Sequence, residues 1–138
     1  MSKVFSLSEA SSIAIHSMVL IARAEGMMNV NKISERTGSS KHHVAKVLQR
    51  LVKEDYLTSI RGPHGGFELT KDPKEINLLE IYETIEGRLS ITECPMENPI
   101  CPFEKCILSN VVADMTKTFR DYLKNHTLEE FLGSQENA

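Results

Sequence analysis

The stretch between residues 30 and 70 constrains the fold of this 138-residue chain more than any other. Its first part, VNKISERTG, ends at a glycine, the residue that most often ends a helix. Its second part, SSKHHVAKVLQRLVKED, has apolar residues at positions 44, 47, 48, 51 and 52, which fall on one helical face. We expect Asn31 and Ser40 to cap the two helices. Two helices joined by a tight Gly-Ser turn form a helix-turn-helix.

Two short segments with strand composition follow this pair of helices. They run from Tyr56 to Ile60 and from Phe67 to Thr70, and the sequence RGPHGG separates them. Its glycines permit positive φ and its proline stiffens the bend, so we predict a β-hairpin. A hairpin directly after a recognition helix is a wing. Because RGPHGG does not precede a helix, it is not a phosphate-binding nucleotide loop.

Basic side chains concentrate in the same part of the chain. Residues 36–64 carry six basic and two acidic side chains, whereas residues 65–138 carry seven basic and fourteen acidic ones. A basic segment within an acidic chain is expected where one face meets DNA phosphates, and such binding weakens steeply with salt. The predicted DNA contacts lie on the second helix and in the hairpin turn. They are Ser39, Ser40, Lys41, His42, His43, Lys46, Arg50, Arg61, Gly62 and His64.

Three of these contacts are expected to contribute in different ways. Lys46 would position the protein on phosphate, which carries no sequence information. His43 would face the groove and carry base preference. Arg61, at the base of the hairpin, is long, permanently charged and suited to a narrow minor groove.

Helices are also predicted before and after this unit. An S-x-x-E capping box at Ser6 begins a helix that continues to about Glu25. The helix is apolar nearly all round, so we expect it to be buried on more than one side. His16 within it is interpreted as a core histidine with a local hydrogen bond. After the hairpin, Asn77 caps a helix that closes at Gly87.

A long final helix is predicted from about Ile107 to Asn125. Roughly eighteen residues would make a rod of about 27 Å. An apolar stripe of that length most simply packs against a second copy of the chain. The stripe consists of Leu108, Val111, Val112, Met115, Phe119, Tyr122 and Leu123. Thr127 starts a last short helix through a second capping box, and the tail GSQENA is expected to be disordered.

The three cysteines lie together in the segment CPMENPICPFEKC, as Cys94, Cys101 and Cys106. We expect a cytoplasmic protein, because no apolar run approaches the roughly 20 residues of a membrane span and the N-terminus lacks a secretion-signal pattern. A reducing cytosol disfavours disulfides, and three thiols cannot all pair within one chain. Clustered thiols there indicate a metal, an iron–sulfur cluster or redox chemistry.

Several alternatives remain open from the residues alone. Three thiolates with His16 or a carboxylate would satisfy tetrahedral zinc, and the thiols could instead form a metal-free redox switch. An enzyme is disfavoured, because local spacing places no histidine beside a cysteine as a catalytic pair requires. A protein–protein adaptor would leave the basic segment and the wing unexplained.

At this point the chain resembles the bacterial winged-helix regulators typified by IscR and NsrR. The motifs that carry the resemblance are SKHHVAKVLQRLVKEDYLTSIRGPHGGFELTKDP, INLLEIYETIEG, the cysteine triplet and NHTLEEFL. RGPHGGF is specific for the family, and the triplet is specific for its iron–sulfur branch. The resemblance extends from the first helix to about Leu132. It implies a mainly α fold with a small β-hairpin wing, in which a winged helix-turn-helix is followed by a long C-terminal dimerisation helix.

The resemblance also implies an organisation and a function. Residues 1–75 would form the DNA-binding domain, residues 76–132 the cluster-binding loop and dimerisation helices, and residues 133–138 a disordered tail. Cys94, Cys101 and Cys106 would bind an iron–sulfur cluster, [2Fe–2S] or [4Fe–4S], near the first helix of the other subunit. The homodimer would read a roughly palindromic operator on double-stranded DNA, with repression as the expected mode. It would sense redox state, nitric oxide or iron–sulfur status, with no membrane or small-molecule substrate.

This sequence departs from the family pattern at the fourth ligand. Some relatives have a histidine three residues after the last cysteine, where this chain has Ser109. Others use a carboxylate from the partner's first helix, and the matching position is Ser12. At least one relative uses a histidine one turn further along that helix, and the matching position here is His16. Glu9 is another candidate, one turn before Ser12. The resemblance therefore favours His16, then Glu9, with an exogenous or absent ligand as the alternative.

Overall fold

The computed structural model describes residues 3–91, 94, 96 and 100–133. Over these residues the chain forms five α-helices, two short 3₁₀ helices and one two-stranded antiparallel hairpin. The elements are α1 (Glu9–Arg23), α2 (Val30–Thr37), α3 (Lys41–Lys53), β1 (Leu57–Ile60), β2 (Gly66–Leu69), a 3₁₀ turn (Pro73–Glu75), α4 (Leu78–Glu86), α5 (Val111–Asn125) and a 3₁₀ turn (Leu128–Phe131). The predicted mainly α fold with a hairpin wing is confirmed.

The turn between α2 and α3 forms as the sequence predicts. Gly38 adopts a left-handed conformation (φ 75°), and its N–H donates to the Ser34 carbonyl at 2.9 Å. The Ser34 hydroxyl donates to the Ser39 carbonyl at 2.6 Å, which closes the turn. Ser40 caps α3 by accepting from the backbone N–H of His43 at 3.2 Å.

Two of the predicted helix caps are wrong. Ser8, not Ser6, caps α1, because its hydroxyl accepts from the backbone N–H of Ser11 at 3.1 Å. Asn29, not Asn31, caps α2 by accepting from the N–H of Lys32 at 2.8 Å. In each case the true cap lies directly before the helix and accepts from the third helical N–H, which is the reach of a short polar side chain.

The caps of the later helices are confirmed. Asn77 and Glu80 form a reciprocal capping box on α4, with both hydrogen bonds at 2.9 Å. Gly87 follows the helix with φ 85°. Thr127 and Glu130 form a second capping box before the last 3₁₀ turn.

The wing is held to the helix-turn-helix through the strand β2. β1 and β2 pair in register from Leu57↔Leu69 to Ile60↔Gly66. Phe67 also exchanges two backbone hydrogen bonds with Met28, just before α2. The chain passes so close at Gly66 that a Cβ there would lie 2.8 Å from the Met28 carbonyl. The hairpin is therefore fixed relative to the recognition helix rather than hanging free.

A continuous apolar core joins the helices. Its buried members include Ile13 and Met18 of α1, Leu48 of α3 and Ile81 of α4. His16 is exposed, so its interpretation as a core histidine is wrong, although its ring Nδ1 makes the expected local hydrogen bond, to the Ser12 carbonyl at 2.7 Å. The core covers one side of α1 and leaves the side that carries His16 outside.

The last helix is shorter than predicted and has two apolar faces. Ser109 takes a left-handed conformation (φ 54°), which cannot continue a helix, so α5 begins at Val111 and its 15 residues span about 22 Å. Phe119 packs inward against Tyr82 and Phe5, with ring centroids 5.4 and 4.8 Å apart. The apolar residues thus do not share one side. Leu108, Val111, Met115 and Tyr122 stay exposed.

The predicted disorder of the tail falls mainly on residues 134–138, which lie outside the described part of the chain. Within the described part, no helix is long and apolar enough to span a membrane.

Candidate nucleic-acid interface and thiol segment

The N-terminal half of α3 presents polar side chains on the face opposite the core. Val44, Val47, Leu48 and Leu51 are buried against the other helices. Lys41, His42 and Lys46 are exposed. His42 and Lys46 lie on the far side of the helix, and Lys41 is its first residue. The helix N-terminus adds its own partial positive charge and free backbone donors. This end of α3 is therefore suited to approach a polyanion.

His43 is tied to the first helix. Its Nδ1 lies 3.2 Å from the Glu9 Oε1, so the first turns of α3 and α1 are joined. The side chains of His43 and Glu9 are partly exposed and exposed, so this contact lies at the surface of the protein. Glu9, a sequence candidate for the fourth metal ligand, is thus engaged within its own chain.

The predicted contacts of the wing lie in its turn. Arg61, Gly62 and His64 are exposed between the two strands. Gly62 has φ 117°, and its carbonyl accepts from the Gly65 N–H at 3.0 Å. The structure thus presents these residues together at one end of the hairpin.

Arg50, a predicted DNA contact, makes hydrogen bonds within the chain. Its Nη2 donates to the carbonyls of Thr84 and Ile85, each at 3.0 Å. These carbonyls belong to the last turn of α4, where they lack partners within the helix. Arg50 therefore fastens the recognition helix to α4, an interaction across 34 residues that no local pattern signals.

Glu86 is a second residue that sequence reasoning missed. It accepts hydrogen bonds from the hydroxyls of Ser8 and Ser11, and the Ser11 contact is 2.6 Å. The bonds from Ser11 and Ser8, together with the nearby charge of Arg50, hold the pKa of the Glu86 carboxyl below its ordinary value of 4.5. The partners are 75 and 78 residues apart, so sequence spacing could not have found them.

The three thiols lie between α4 and α5, on the stretch from Cys94 to Cys106 that we call the thiol segment. Cys94, Cys101 and Cys106 are exposed and free of disulfides. The apolar side chains of Ile100 and Phe103 beside them are 82% and 62% exposed. Thiolates are ligands for iron–sulfur clusters and zinc, so the donor chemistry fits such a group. Among the described residues, however, no three His, Cys, Asp or Glu side chains are close enough together to hold a metal.

His16 lines a groove of about 740 Å³ along α1, and none of the three cysteines is among the residues that line it. Val19 and Leu20 of the same helix line this groove, as does Phe131 near the C-terminus. Because Nδ1–H of His16 donates to the Ser12 carbonyl, Nε2 is the ring nitrogen left to bind a metal. One chain therefore offers three donors on one exposed segment and a fourth elsewhere.

A helix-turn-helix followed by a hairpin anchored to it defines a winged helix-turn-helix DNA-binding protein. The family model of Rrf2, described as an iron-dependent transcriptional regulator, matches residues 7–134. The chain belongs to the Rrf2 family of transcriptional regulators.

One sequence relative agrees with this assignment, and two solved structures share the fold. The transcriptional regulator IscR of Escherichia coli O1:K1 / APEC is 30% identical over 111 residues, which cover 80% of this chain and 68% of the relative. The structure of CymR, the global cysteine regulator of B. subtilis, covers 96% of this chain and 99% of its own with a TM-score of 0.77 and 21% identity. T. potens IscR covers 94% and 87%, with a TM-score of 0.72 and 21% identity.

The family assignment confirms the resemblance seen in the sequence. It also confirms that the chain is a DNA-binding regulator and not an enzyme.

Proposed function

We propose that this chain is a homodimeric regulator whose binding to a roughly palindromic operator is controlled by an iron–sulfur cluster on Cys94, Cys101 and Cys106. The observation that carries the proposal is the position of the thiol segment. It comes a few residues after α4. Arg50 of the recognition helix donates hydrogen bonds to two carbonyls in the last turn of α4. A conformational change at the thiols would therefore occur next in the chain to α4, the helix that is hydrogen-bonded to the recognition helix.

The exposed face of α5 supports a homodimer. Val111, Met115, Thr118 and Tyr122, with Leu108 just before the helix, are spaced alternately by three and four residues. That spacing is the seam of a two-helix coiled coil. A two-fold dimer would present two recognition helices, which explains an operator with two related half-sites.

The DNA contacts are proposed on the exposed end of α3 and the wing. Ser39, Ser40, Lys41 and Lys46 position the protein on phosphates, and His42 and His43 approach base edges. Arg61, Gly62 and His64 follow the backbone and the minor groove. Arg50 contributes by holding α3 in place.

The fourth ligand is proposed to be His16 of the partner subunit. The exposed apolar side chains Ile100 and Phe103 could pack against the apolar part of the groove on α1, which includes Val19, Leu20 and Phe131. Docking one subunit's segment in the other's groove would bring the thiols to Nε2 of His16. Glu9 is less suited, because it is paired with His43. A cluster with one non-thiolate ligand is easily displaced, which suits a sensor of either cluster type.

A second candidate keeps the DNA binding and changes the chemistry at the thiols. The three thiols are exposed and not gathered into a site within one chain. Exposed, unpaired thiols are accessible to oxidants, so they could act as a metal-free switch, or they could bind zinc.

Purification without oxygen separates these candidates. We expect a coloured protein with a visible absorption band, with iron and sulfide in similar amounts, and His16→Ala should lower both. His42→Ala is the control, because it lies in the recognition helix and should leave the iron content unchanged. Zinc without iron or sulfide would favour the second candidate. A colourless, iron-free protein whose operator binding ignores thiol oxidants would contradict both.

A further inference from the structure

The recognition helix is held by polar contacts at both of its ends. In its first turn, His43 pairs with Glu9 of α1 at 3.2 Å. In its last turn, Arg50 donates to the Thr84 and Ile85 carbonyls of α4 at 3.0 Å. Apolar packing is non-directional, whereas hydrogen bonds fail when their geometry changes. These end contacts therefore add directional constraints on α3 to the apolar packing of its buried face.

A third contact joins the two elements that hold α3. The Ser8 and Ser11 hydroxyls at the start of α1 both donate to one oxygen of Glu86 in the last turn of α4. Ser11 is fully buried, so its hydroxyl depends on this carboxylate and on Ser8 for hydrogen bonds. The contacts Glu9–His43, Arg50–α4 and Glu86–Ser8/Ser11 form a closed set, which we call the polar triangle.

One corner of the polar triangle, the last turn of α4, lies a few residues before the thiol segment. Glu83, in the same last turn of α4, accepts from the backbone N–H of Leu89 at 2.7 Å. Gly87 between them has φ 85°, and Cys94 follows a few residues later. The turn that carries Glu86 and the carbonyls bound by Arg50 is therefore the part of α4 nearest in the chain to Cys94.

We propose that the last turn of α4 is the relay between the thiol segment and the recognition helix, with Glu86 and Arg50 as its positioning residues. Rearrangement of the segment shifts this turn, which loosens Arg50 directly and His43 through Glu86, Ser8 and Glu9. Both ends of α3 then move together, and the operator loses or gains affinity. The regulatory part of this inference rests on the proposed function, whereas the mechanical link between Glu86 and α3 does not.

Glu86→Gln tests the relay in the full-length protein. Operator affinity is measured for the anaerobic protein as purified and after removal of iron by a chelator, with thiols reduced in both. We expect the wild-type ratio of the two dissociation constants to be at least about tenfold, the size of a typical allosteric coupling. In Glu86→Gln the ratio should fall to within about twofold of one. Glu129→Gln, an exposed carboxylate outside the triangle, should keep the wild-type ratio.

Hydrogen exchange tests the mechanical link separately. We expect Glu86→Gln to speed amide exchange in both the first and the last turn of α3, by about threefold or more over Glu129→Gln. Unchanged exchange in α3 overturns the relay even if the wild type responds to iron removal. A wild-type ratio of one with faster exchange would overturn the proposed iron control and leave the link standing.

Arg50→Lys distinguishes positioning from direct DNA contact. Lysine keeps the positive charge but cannot reach two carbonyls with the planar geometry of a guanidinium. We expect the state ratio to collapse as in Glu86→Gln while the salt dependence of binding stays unchanged. A reduced salt slope with an unchanged ratio would assign Arg50 to phosphate and overturn its place in the relay.

Discussion

Gly65 lies where the turn of the wing comes closest to the preceding strand. A Cβ at this position would lie 2.0 Å from the Ile60 carbonyl oxygen, a backbone atom that cannot move aside without opening the hairpin. Glycine at position 65 is therefore required by the shape of the turn, independently of any contact with DNA. Gly62 meets a different requirement, because it has φ 117° and open space around it.

Gly65→Ala should destabilise the protein by at least about 2 kcal/mol, since the new methyl group forces the backbone apart. Thermal unfolding followed by circular dichroism measures this loss. Gly133→Ala is the matched control, because a Cβ there meets nothing within 4 Å and the residue has no positive φ. Equal melting temperatures for the two variants would mean that the turn can adopt another shape.

Lys46 and Arg61 are both exposed, but we expect their loss to affect DNA binding differently. Lys46→Ala should weaken binding to all sequences about equally and lower the salt slope by about 1, because it removes one phosphate contact. Arg61→Ala should preferentially weaken sites with A/T-rich flanks, whose narrow minor grooves attract arginine. Fluorescence anisotropy on A/T-rich and G/C-rich flanked operators at several salt concentrations measures both. The same loss on every site for both variants would refute this division.

At the scale of elements, α5 serves two surfaces at once. Its inner face, with Phe119 and the buried Leu123, packs on α4. Its outer face keeps Val111, Met115 and Tyr122 exposed, although each is large and apolar. A helix with two apolar faces is stable in a single chain only at the expense of exposed apolar surface, which a second copy would cover.

Met115→Lys should weaken dimerisation at least about tenfold, because it places a charge in the middle of the proposed seam. Analytical ultracentrifugation over a range of concentrations measures the dissociation constant. Lys117→Ala is the control, because Lys117 lies on another side of α5 and pairs with Asp121 at 2.6 Å. An unchanged dimer in Met115→Lys would place the interface elsewhere on the molecule.

At the scale of the whole molecule, Glu86 links the chain's first helix to the end of α4. Its folded pKa is lowered by the Ser11 and Ser8 hydroxyls and the charge of Arg50, so the ionised form is preferred in the folded state. A carboxyl with a lowered folded pKa stabilises the fold above its ordinary pKa of 4.5, and this stability is lost as pH falls through the folded value.

The difference in melting temperature between wild type and Glu86→Gln should therefore be greatest above about pH 5 and shrink as the pH falls below 4.5. Protonated glutamate resembles glutamine, so the two proteins should converge in acid. Differential scanning fluorimetry from pH 3 to about pH 7 provides the comparison. A constant difference over this range would show that the charge of Glu86 contributes nothing to stability.

Local patterns in the sequence determined the helix-turn-helix, the wing and the ends of α2 and α4 at Gly38 and Gly87, because these features depend on residues a few positions apart. Spacing of three and four placed the core face of α3, and Gly38 took the left-handed conformation that its position predicts. The caps at Ser6 and Asn31 failed because several short polar residues stand near each helix start, and only the path of the chain selects one. Similarly, the left-handed conformation of Ser109 makes α5 begin at Val111, whereas the apolar pattern predicted a start at about Ile107.

Only the tertiary structure decided which polar residues work together. From the sequence, Arg50 is one more basic side chain on the recognition helix. In the structure it donates hydrogen bonds to the carbonyls of Thr84 and Ile85, 34 and 35 residues away. Glu86, Ser8 and Ser11 carry no sequence signal at all, since their contact spans most of the chain. The sequence by itself determined that three clustered thiols and a winged helix-turn-helix occur in one protein. The tertiary structure decided that α4, the helix before the thiols, is hydrogen-bonded to the recognition helix α3. Contacts between residues so far apart depend on packing and not on sequence spacing.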